Sequence, residues 1–340
     1  MDNKAVFLNS SEENSSSDRG LLDLIISLLP VIKFTEKILL LNIFKSEDEL
    51  LIQSKKDIEK IIKRELKTFW DAGEIKEKAG HIDTTCAIRS IKWVSWTSSD
   101  YPPMLREIFD PPSVIFYRGR LPNTEKPLLG MVGTRKPSRG AAEQAYRIAG
   151  NIGRAGISVV SGLAYGIDAM SHRGNLISGV PGYAVLGSGI DGVYPSANRS
   201  LAKKILDSGG ALISEYPPGF LPSKWTFPAR NRIIAALSRG VLIVEAPEKS
   251  GALITAGFAL DQGKDLWVAS CGAQECAGID RKGTIKLVFD GAEIIDSASD
   301  IIEKWNLTES FSGSADNFSS RPSNREDLIS SMADFLKIDV

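Results

Sequence analysis

The chain is predicted to be an α/β protein: an extended Rossmann-like doubly wound parallel sheet, preceded by a small all-helical N-terminal domain. Three observations predict it. From Leu128 to about residue 270, short β-branched runs alternate with helical patterns. Those runs are apolar on both faces, as strands of a parallel sheet covered on both sides must be. Ahead of them, residues 21–72 show helical spacing and no strand pattern.

Composition bounds the rest. A chain of 340 residues suits one large domain and a smaller one, and 43% apolar with 24% charged residues describes an ordinary globular protein. A net charge of −1 excludes a globally basic nucleic-acid binder, so any polyanion site must be a local patch. Three cysteines, Cys86, Cys271 and Cys276, are too few for a disulfide framework, and no histidine lies near the latter two, which argues against zinc. No metal or other cofactor is expected. The N-terminus lacks a charged-then-apolar leader, and Asp23 and Pro30 interrupt Leu21–Ile32 short of a membrane span. The expectation is a cytoplasmic protein with no membrane partner.

Taken in order, residues 1–20 are Ser-, Asn- and Glu-rich and read as a disordered tail. Residues 21–85 are expected to form a helical (SAM-like) accessory domain. Within it, Ser46 before Glu47-Asp48-Glu49 reads as an N-cap, and Ile58, Ile61-Ile62, Leu66 and Phe69 form a helical stripe. Residues 73–90 read as a polar linker. Residues 86–305 are expected to form the Rossmann-like domain. The Trp93–Trp96 and Tyr101–Leu105 segments should lie along its edge, with VIFYRG (114–119) as a strand. Strands follow at LLGMV (128–132), ISVVSG (157–162), GYAVLGSG (182–189), ALISEY (211–216), GVLIVEAP (240–247) and DLWVAS (265–270). Helices between them start near Ser138, Asp168, Ser196, residue 229 and residue 250. Residues 306–340 read as a polar linker and one short helix, without a full winged-helix domain.

Ligands of open α/β sheets bind at the carboxyl ends of the strands. The turn there after the first parallel strand is GMVGTRKPSRG (130–140), a strand feeding a glycine turn feeding a helix. Unpaired N–H groups at such a helix start attract phosphate. Arg135, Lys136 and Arg139 add full charges, with no acid between Glu125 and Glu143. The glycine spacing fits neither the dinucleotide fingerprint nor the P-loop. A second stretch, between Glu215 and Glu245, holds no acid but holds Lys224, Arg230, Arg232 and Arg239 among Phe220, Trp225 and Phe227. Basic residues interleaved with aromatics suit single-stranded nucleic acid, which offers phosphates to pair and bases to stack. The alternative is that Trp225 and Phe227 anchor a proline-rich loop to the core.

Residues 101–296 resemble the DNA processing protein A (DprA/Smf) family. The likeness rests on YPPMLREIFDPPSVIFYRG, GMVGTRKPSRGA, VVSGLAYGIDAMSH, GSGIDGVYPSANRSLAKKI, LISEYPPG, FPARNRIIAALSRGVLIVEAPEKSGALITAGFAL and GTIKLVFDGA, in the family's order. The resemblance implies a non-enzymatic binder of single-stranded DNA. It further implies a homodimer that promotes loading of the RecA recombinase during natural transformation and homologous recombination. Carried onto this chain, the DNA-binding residues are Gly133, Thr134 and Arg135, Ser161 and Gly162, Lys224, Phe227, Arg230, Asn231 and Arg232, and Lys249 and Ser250. Two departures stand out: Cys271-Gly272-Ala273 replaces a Pro-Gly turn, and the C-terminus is too short for the winged helix found in many members.

Residue chemistry supports these roles unequally. Arg230 and Arg232 point to different faces of a helix, so one is expected to contact DNA and the other to pair with Glu215 or Glu245. Asn231 is expected to hold backbone geometry, while Asp168 and His172 read as a capping aspartate and a partnered histidine. Two rival functions stay open. One is a nucleoside-monophosphate-binding or N-glycosidic-bond-hydrolysing Rossmann protein, with Glu215 and Glu245 as its carboxylates. The other is a pure nucleotide sensor, which would not need so long a basic-aromatic track.

Overall fold

The computed structural model describes residues 21–68, 70–123 and 125–307. The expected tail (1–20), the C-terminal linker and helix beyond Leu307, and Phe69 of the helical stripe lie outside the described residues. The N-terminal region is helical: α1 (Leu22–Leu28), α2 (Phe34–Ile43), α3 (Glu47–Leu51), α4 (Lys55–Ile62) and α5 (Ala72–Ile88). Ser46 caps α3, its hydroxyl accepting from the Glu49 N–H. The stripe from Ile58 breaks off at Ile62, because Lys63 takes a left-handed conformation (φ 57°) that ends α4; Leu66 is buried from outside the helix.

Residues 73–90 are not a linker. Asp71 accepts from the Glu74 N–H at 3.0 Å and starts α5, which runs through the boundary expected at 85/86. Only Ala79, Ile82 and Cys86 of this helix are buried, a stripe too narrow to stand out in a polar sequence. Packing against neighbours, rather than local propensity, stabilises such a helix. Buried residues of α1–α5 share one hydrophobic cluster with residues of the sheet and of helices on one of its faces.

The remaining elements are β1 (Lys92–Ser95), α6 (Pro103–Arg106), β2 (Val114–Gly119), β3 (Leu128–Val132), α7 (Arg139–Arg154), β4 (Ser158–Ser161), α8 (Ile167–Leu176), β5 (Tyr183–Val185), α9 (Arg199–Asp207), β6 (Ala211–Ser214), α10 (Thr226–Leu237), β7 (Gly240–Ile243), α11 (Gly251–Asp261), β8 (Asp265–Ala269), α12 (Lys282–Phe289), β9 (Glu293–Ile295) and α13 (Ala298–Lys304). Among the described residues they build a nine-stranded sheet in the order β1-β2-β6-β5-β4-β3-β7-β8-β9. The pairs from β6 to β9 are parallel; β1 and β2 add an antiparallel edge, which places the Trp93 segment at the rim. Helices α7, α8, α9 and α13 cover one face, and α6, α10 and α11 the other.

The strand order reverses between β3 and β7. From β3 the chain steps outward through β4, β5 and β6, then returns to lay β7 on the other side of β3. Connections leave these two strand ends in opposite directions and open a crevice, the usual ligand position in a doubly wound sheet. All five residues of β3 are buried, so the turn that follows rests on a rigid base.

Candidate nucleic-acid interface

Three segments converge on that crevice. The first is the turn after β3. The Thr134 N–H donates to the Glu245 carbonyl at 2.7 Å, joining the ends of β3 and β7. Ser138 caps α7 by accepting from the Ala141 N–H at 3.2 Å. The Glu245 carboxylate, buried beneath, accepts from the Ser138 N–H (2.8 Å), the Ser138 hydroxyl (2.7 Å) and Arg281 Nε (2.9 Å). Glu245 therefore pairs with Arg281 and not with Arg230 or Arg232. The turn is locked from below, and Arg135 and Lys136 stand exposed above it. Arg139 is partly engaged by Glu143 one turn along α7, at 2.9 Å. Gly166, at φ +74°, closes the turn's flank: a Cβ there would lie 2.3 Å from the Thr134 carbonyl oxygen.

The second segment is the stretch leading into α10, and the third is the start of α11. Together the three enclose a groove of about 740 Å³, lined by Gly133, Thr134, Arg135, Lys224, Phe227, Arg230, Asn231, Lys249 and Ser250, with Asp168, Tyr194 and Thr255. Four basic side chains against the single acid Asp168 make this a local positive patch on a chain of net charge −1. The Arg135 guanidinium lies 5.7 Å from the centre of the Phe227 ring, and Tyr194 packs 5.4 Å from the same ring. Lys224 Nζ sits 4.9 Å from the Trp225 ring, which is 72% exposed. Beyond them Tyr216 and Phe220 stack at 4.6 Å. Ser250 caps α11 through the Ala252 N–H (3.2 Å), and Lys249 beside it is exposed. A phosphate entering here meets three flexible cations and a helix N-terminus, with aromatic faces at hand.

The other sequence-derived candidates play different parts. Asn231 braces α11, its amide donating to the Gly251 carbonyl at 3.1 Å and its oxygen accepting from Arg230 Nε at 2.8 Å. Arg230 forms part of the groove floor but is buried, and it holds the carbonyl oxygens of Gly162 (2.7 Å) and Val185. Burial pulls its pKa down to about 10, opposed by Asp168. Gly162 is a glycine because that guanidinium covers it: a Cβ would stand 2.2 Å from Arg230 Nη2.

Arg232, Ser161 and Gly162 are outside the groove lining. Arg232 turns to the opposite side of α10 and grips Glu215 with both Nη atoms (2.5 and 2.8 Å) while donating to the Asp110 carbonyl. Ser161 is fully buried, its hydroxyl donating to the Met131 carbonyl at 2.6 Å.

Two further expectations are corrected. Gly166, not Asp168, is the N-cap of α8; Asp168 instead accepts from the Gly162 and Ala164 N–H groups and closes the turn after β4. Burial raises its pKa, opposed by Arg230. His172 is not partnered: it is fully buried, and neither ring nitrogen has a hydrogen bond. Burial, with Arg230 adding to it, holds its pKa down to about 3. The segment at Cys271 forms a short 3-10 turn, its N–H donating to Gln144 at 2.9 Å. Sequence reading missed Tyr194 and Arg281; each has a partner far along the chain, and no local pattern marks either.

Among the described residues no group of His, Cys, Asp and Glu side chains is arranged to hold a metal ion, and no helix is long and apolar enough to cross a membrane.

Fold and site together define an extended Rossmann-type protein whose topological switch point carries a basic, aromatic-edged groove. The family model described as DNA recombination-mediator protein A matches residues 92–306, and the chain belongs to that family. It is 43% identical over 209 residues to protein Smf of Synechocystis, an alignment covering 60% of this chain and 51% of that protein. The chain thus spans about half the length of that relative. The structure of DNA processing protein A (DprA) from Streptococcus pneumoniae superposes with a TM-score of 0.66 at 29% identity, covering 83% of this chain and 97% of that one. DNA processing protein A from Helicobacter pylori, whose structure concerns its single-stranded DNA binding mode, gives a TM-score of 0.56 at 26% identity over 64% of this chain and 96% of that one.

Proposed function

We propose that this chain binds single-stranded DNA in the groove at the β3–β7 switch point and, as a homodimer in the cytoplasm, promotes RecA loading in natural transformation and homologous recombination. The single observation behind the reading is the meeting of Arg135, Lys224, Lys249 and the α11 N-terminus with Phe227 and Tyr194 around one groove, with the exposed Trp225 ring beside Lys224. Phosphates seat over the strand ends and bases stack along the aromatic rim. Each stacked base contributes about 1–3 kcal/mol whatever its identity, so binding has little sequence preference. Each phosphate contact releases counterions, so binding weakens with salt.

The rival hydrolase reading needs a free carboxylate in the groove. Glu215 is held by Arg232 and Glu245 by Arg281, which supports binding without catalysis by either. The dimer and the RecA partnership rest on the family likeness. The test is fluorescence anisotropy of labelled single- and double-stranded oligonucleotides at two salt concentrations. Salt-sensitive preference for single strands, lowered by Arg135→Ala, is the expected result. Equal affinity for both, or an unaffected variant, would remove the groove from the reading.

A further inference from the structure

The aromatic pair Tyr216 and Phe220 brackets the tight turn after β6, whose tip is Gly219 at φ +82°. Two hydrogen bonds tie this turn to the one after β5. The Gly189 N–H donates to the Phe220 carbonyl at 2.8 Å, and the Gly219 N–H donates to Asp191 Oδ1 at 2.9 Å. The same turn leads on to Tyr194, which packs against Phe227 in the groove. The second oxygen of Asp191 is 2.5 Å from Nη1 of Arg89.

Arg89 belongs to the N-terminal region, as the residue that closes α5. That helix is itself fastened to the sheet edge, Trp93 Nε1 donating to Asp83 Oδ1 at 2.8 Å. A second cation of the same region, Lys37 on α2, donates to the Ser27 carbonyl at 2.6 Å. Burial lowers its pKa, and Glu215 and Asp110 act against that shift. Glu215 immediately precedes Tyr216, at the base of this turn. The Asp191 side chain is largely sheltered, whereas Arg89 is half exposed.

We infer that Arg89 and Asp191 are positioning residues: through them the N-terminal helices hold the turns after β5 and β6, the first of which carries Tyr194 into the groove lining, in the geometry that stacks nucleic-acid bases. The inference rests on the proposed single-stranded DNA reading and gives the helical region a part in it. Neither residue lines the groove. Their effect is therefore on the order of the turns and not on phosphate pairing.

The test combines hydrogen exchange of the free full-length chain with single-stranded DNA titration across salt. Arg89→Ala is expected to speed exchange in residues 216–223 and weaken binding about two- to fivefold, the scale of a half-exposed ion pair. Asp191→Ala also frees the Gly219 N–H, so a loss of about five- to twentyfold is expected. Arg89→Lys restores most of the effect. In both alanine variants the slope of affinity against salt stays that of the wild type, because no phosphate contact is removed. Arg135→Ala is the contrasting control, lowering the slope with no change in exchange at 216–223. Unchanged exchange and affinity in both alanine variants would overturn the inference, as would a reduced salt slope in Arg89→Ala. Faster exchange in a chain that fails to bind single strands at all would uphold the mechanical link and overturn the DNA reading.

Discussion

Replacing Glu245 by alanine isolates the lock beneath the turn after β3. The carboxylate is 1% exposed and Arg281 is 9% exposed, so neither charge has water to replace its partner. The substitution strips acceptors from the Ser138 N–H, the Ser138 hydroxyl and Arg281 Nε at once. Arg281 keeps the Gln274 carbonyl (3.2 Å) and the Ser138 hydroxyl (3.1 Å), but its charge is left unpaired. Removing one partner of a buried ion pair costs about 3–5 kcal/mol, and that is the expected loss in urea unfolding of Glu245→Ala. Adding Arg281→Met removes the stranded charge and should recover about half of that loss, the remainder staying with the unpaired Ser138 N–H and the space the carboxylate leaves. Single-stranded DNA affinity should fall in the single variant as the turn loosens, with the salt slope unchanged because Glu245 touches no phosphate. A loss under about 1 kcal/mol, or no recovery in the double variant, would refute the lock. A salt slope that falls as in Arg135→Ala would refute its separation from the phosphate contacts.

Other expectations follow from the same geometry. Arg135→Ala and Lys224→Ala should each weaken binding to every sequence and reduce the magnitude of the salt slope by about 0.7, the share of one phosphate on a single strand; anisotropy across a salt series checks this. Arg232→Ala, which strands Glu215 on the far side of α10, should destabilise the fold by about 3 kcal/mol and leave the salt slope untouched, as read by urea unfolding beside a DNA titration. His172 ordinarily titrates near 6.5 and is held at about 3 in the fold, so the unfolded chain alone takes up its proton between these values. Its contribution is complete above pH 6.5 and is lost as pH falls, at about 1.4 kcal/mol per pH unit; His172→Leu should flatten that part of the stability profile. Burial raises the Cys86 thiol to about 11 and the Cys271 thiol to about 12, while Cys276 is exposed. Alkylation near pH 8 followed by peptide mapping should therefore label Cys276 first, with the other two reacting after unfolding.

Much of the sheet and the position of the crevice at its switch point were legible in the chain. β3 occupies the expected residues 128–132, and Ser138 caps the helix that follows, because the apolar run, the glycine turn and the cap lie within a few residues of one another. The alternation of such units selects a parallel sheet, and a parallel sheet with a switch point places its ligand at the strand ends. Local pattern failed where stabilisation is not local. Helix α5 buries only a narrow stripe, so its sequence reads as a linker, while its neighbours and not its own composition keep it folded.

The division of labour within the groove was decided by the tertiary structure. Arg230 and Arg232 are two residues apart and alike in chemistry. One supports the groove floor and the other grips Glu215, a difference set by which carbonyls and carboxylates the packed sheet presents to each side of α10. Glu245 finds Ser138 across 107 residues and Arg281 across 36, and Tyr194 meets Phe227 from a different strand end. By itself the sequence determined the parallel strands β3 to β8 and the helices between them, because hydrophobic period and turn chemistry act over a window shorter than one element. Partner choice among the charged and aromatic side chains depends on distances that exist only once the sheet has closed, and so only the tertiary structure settled it.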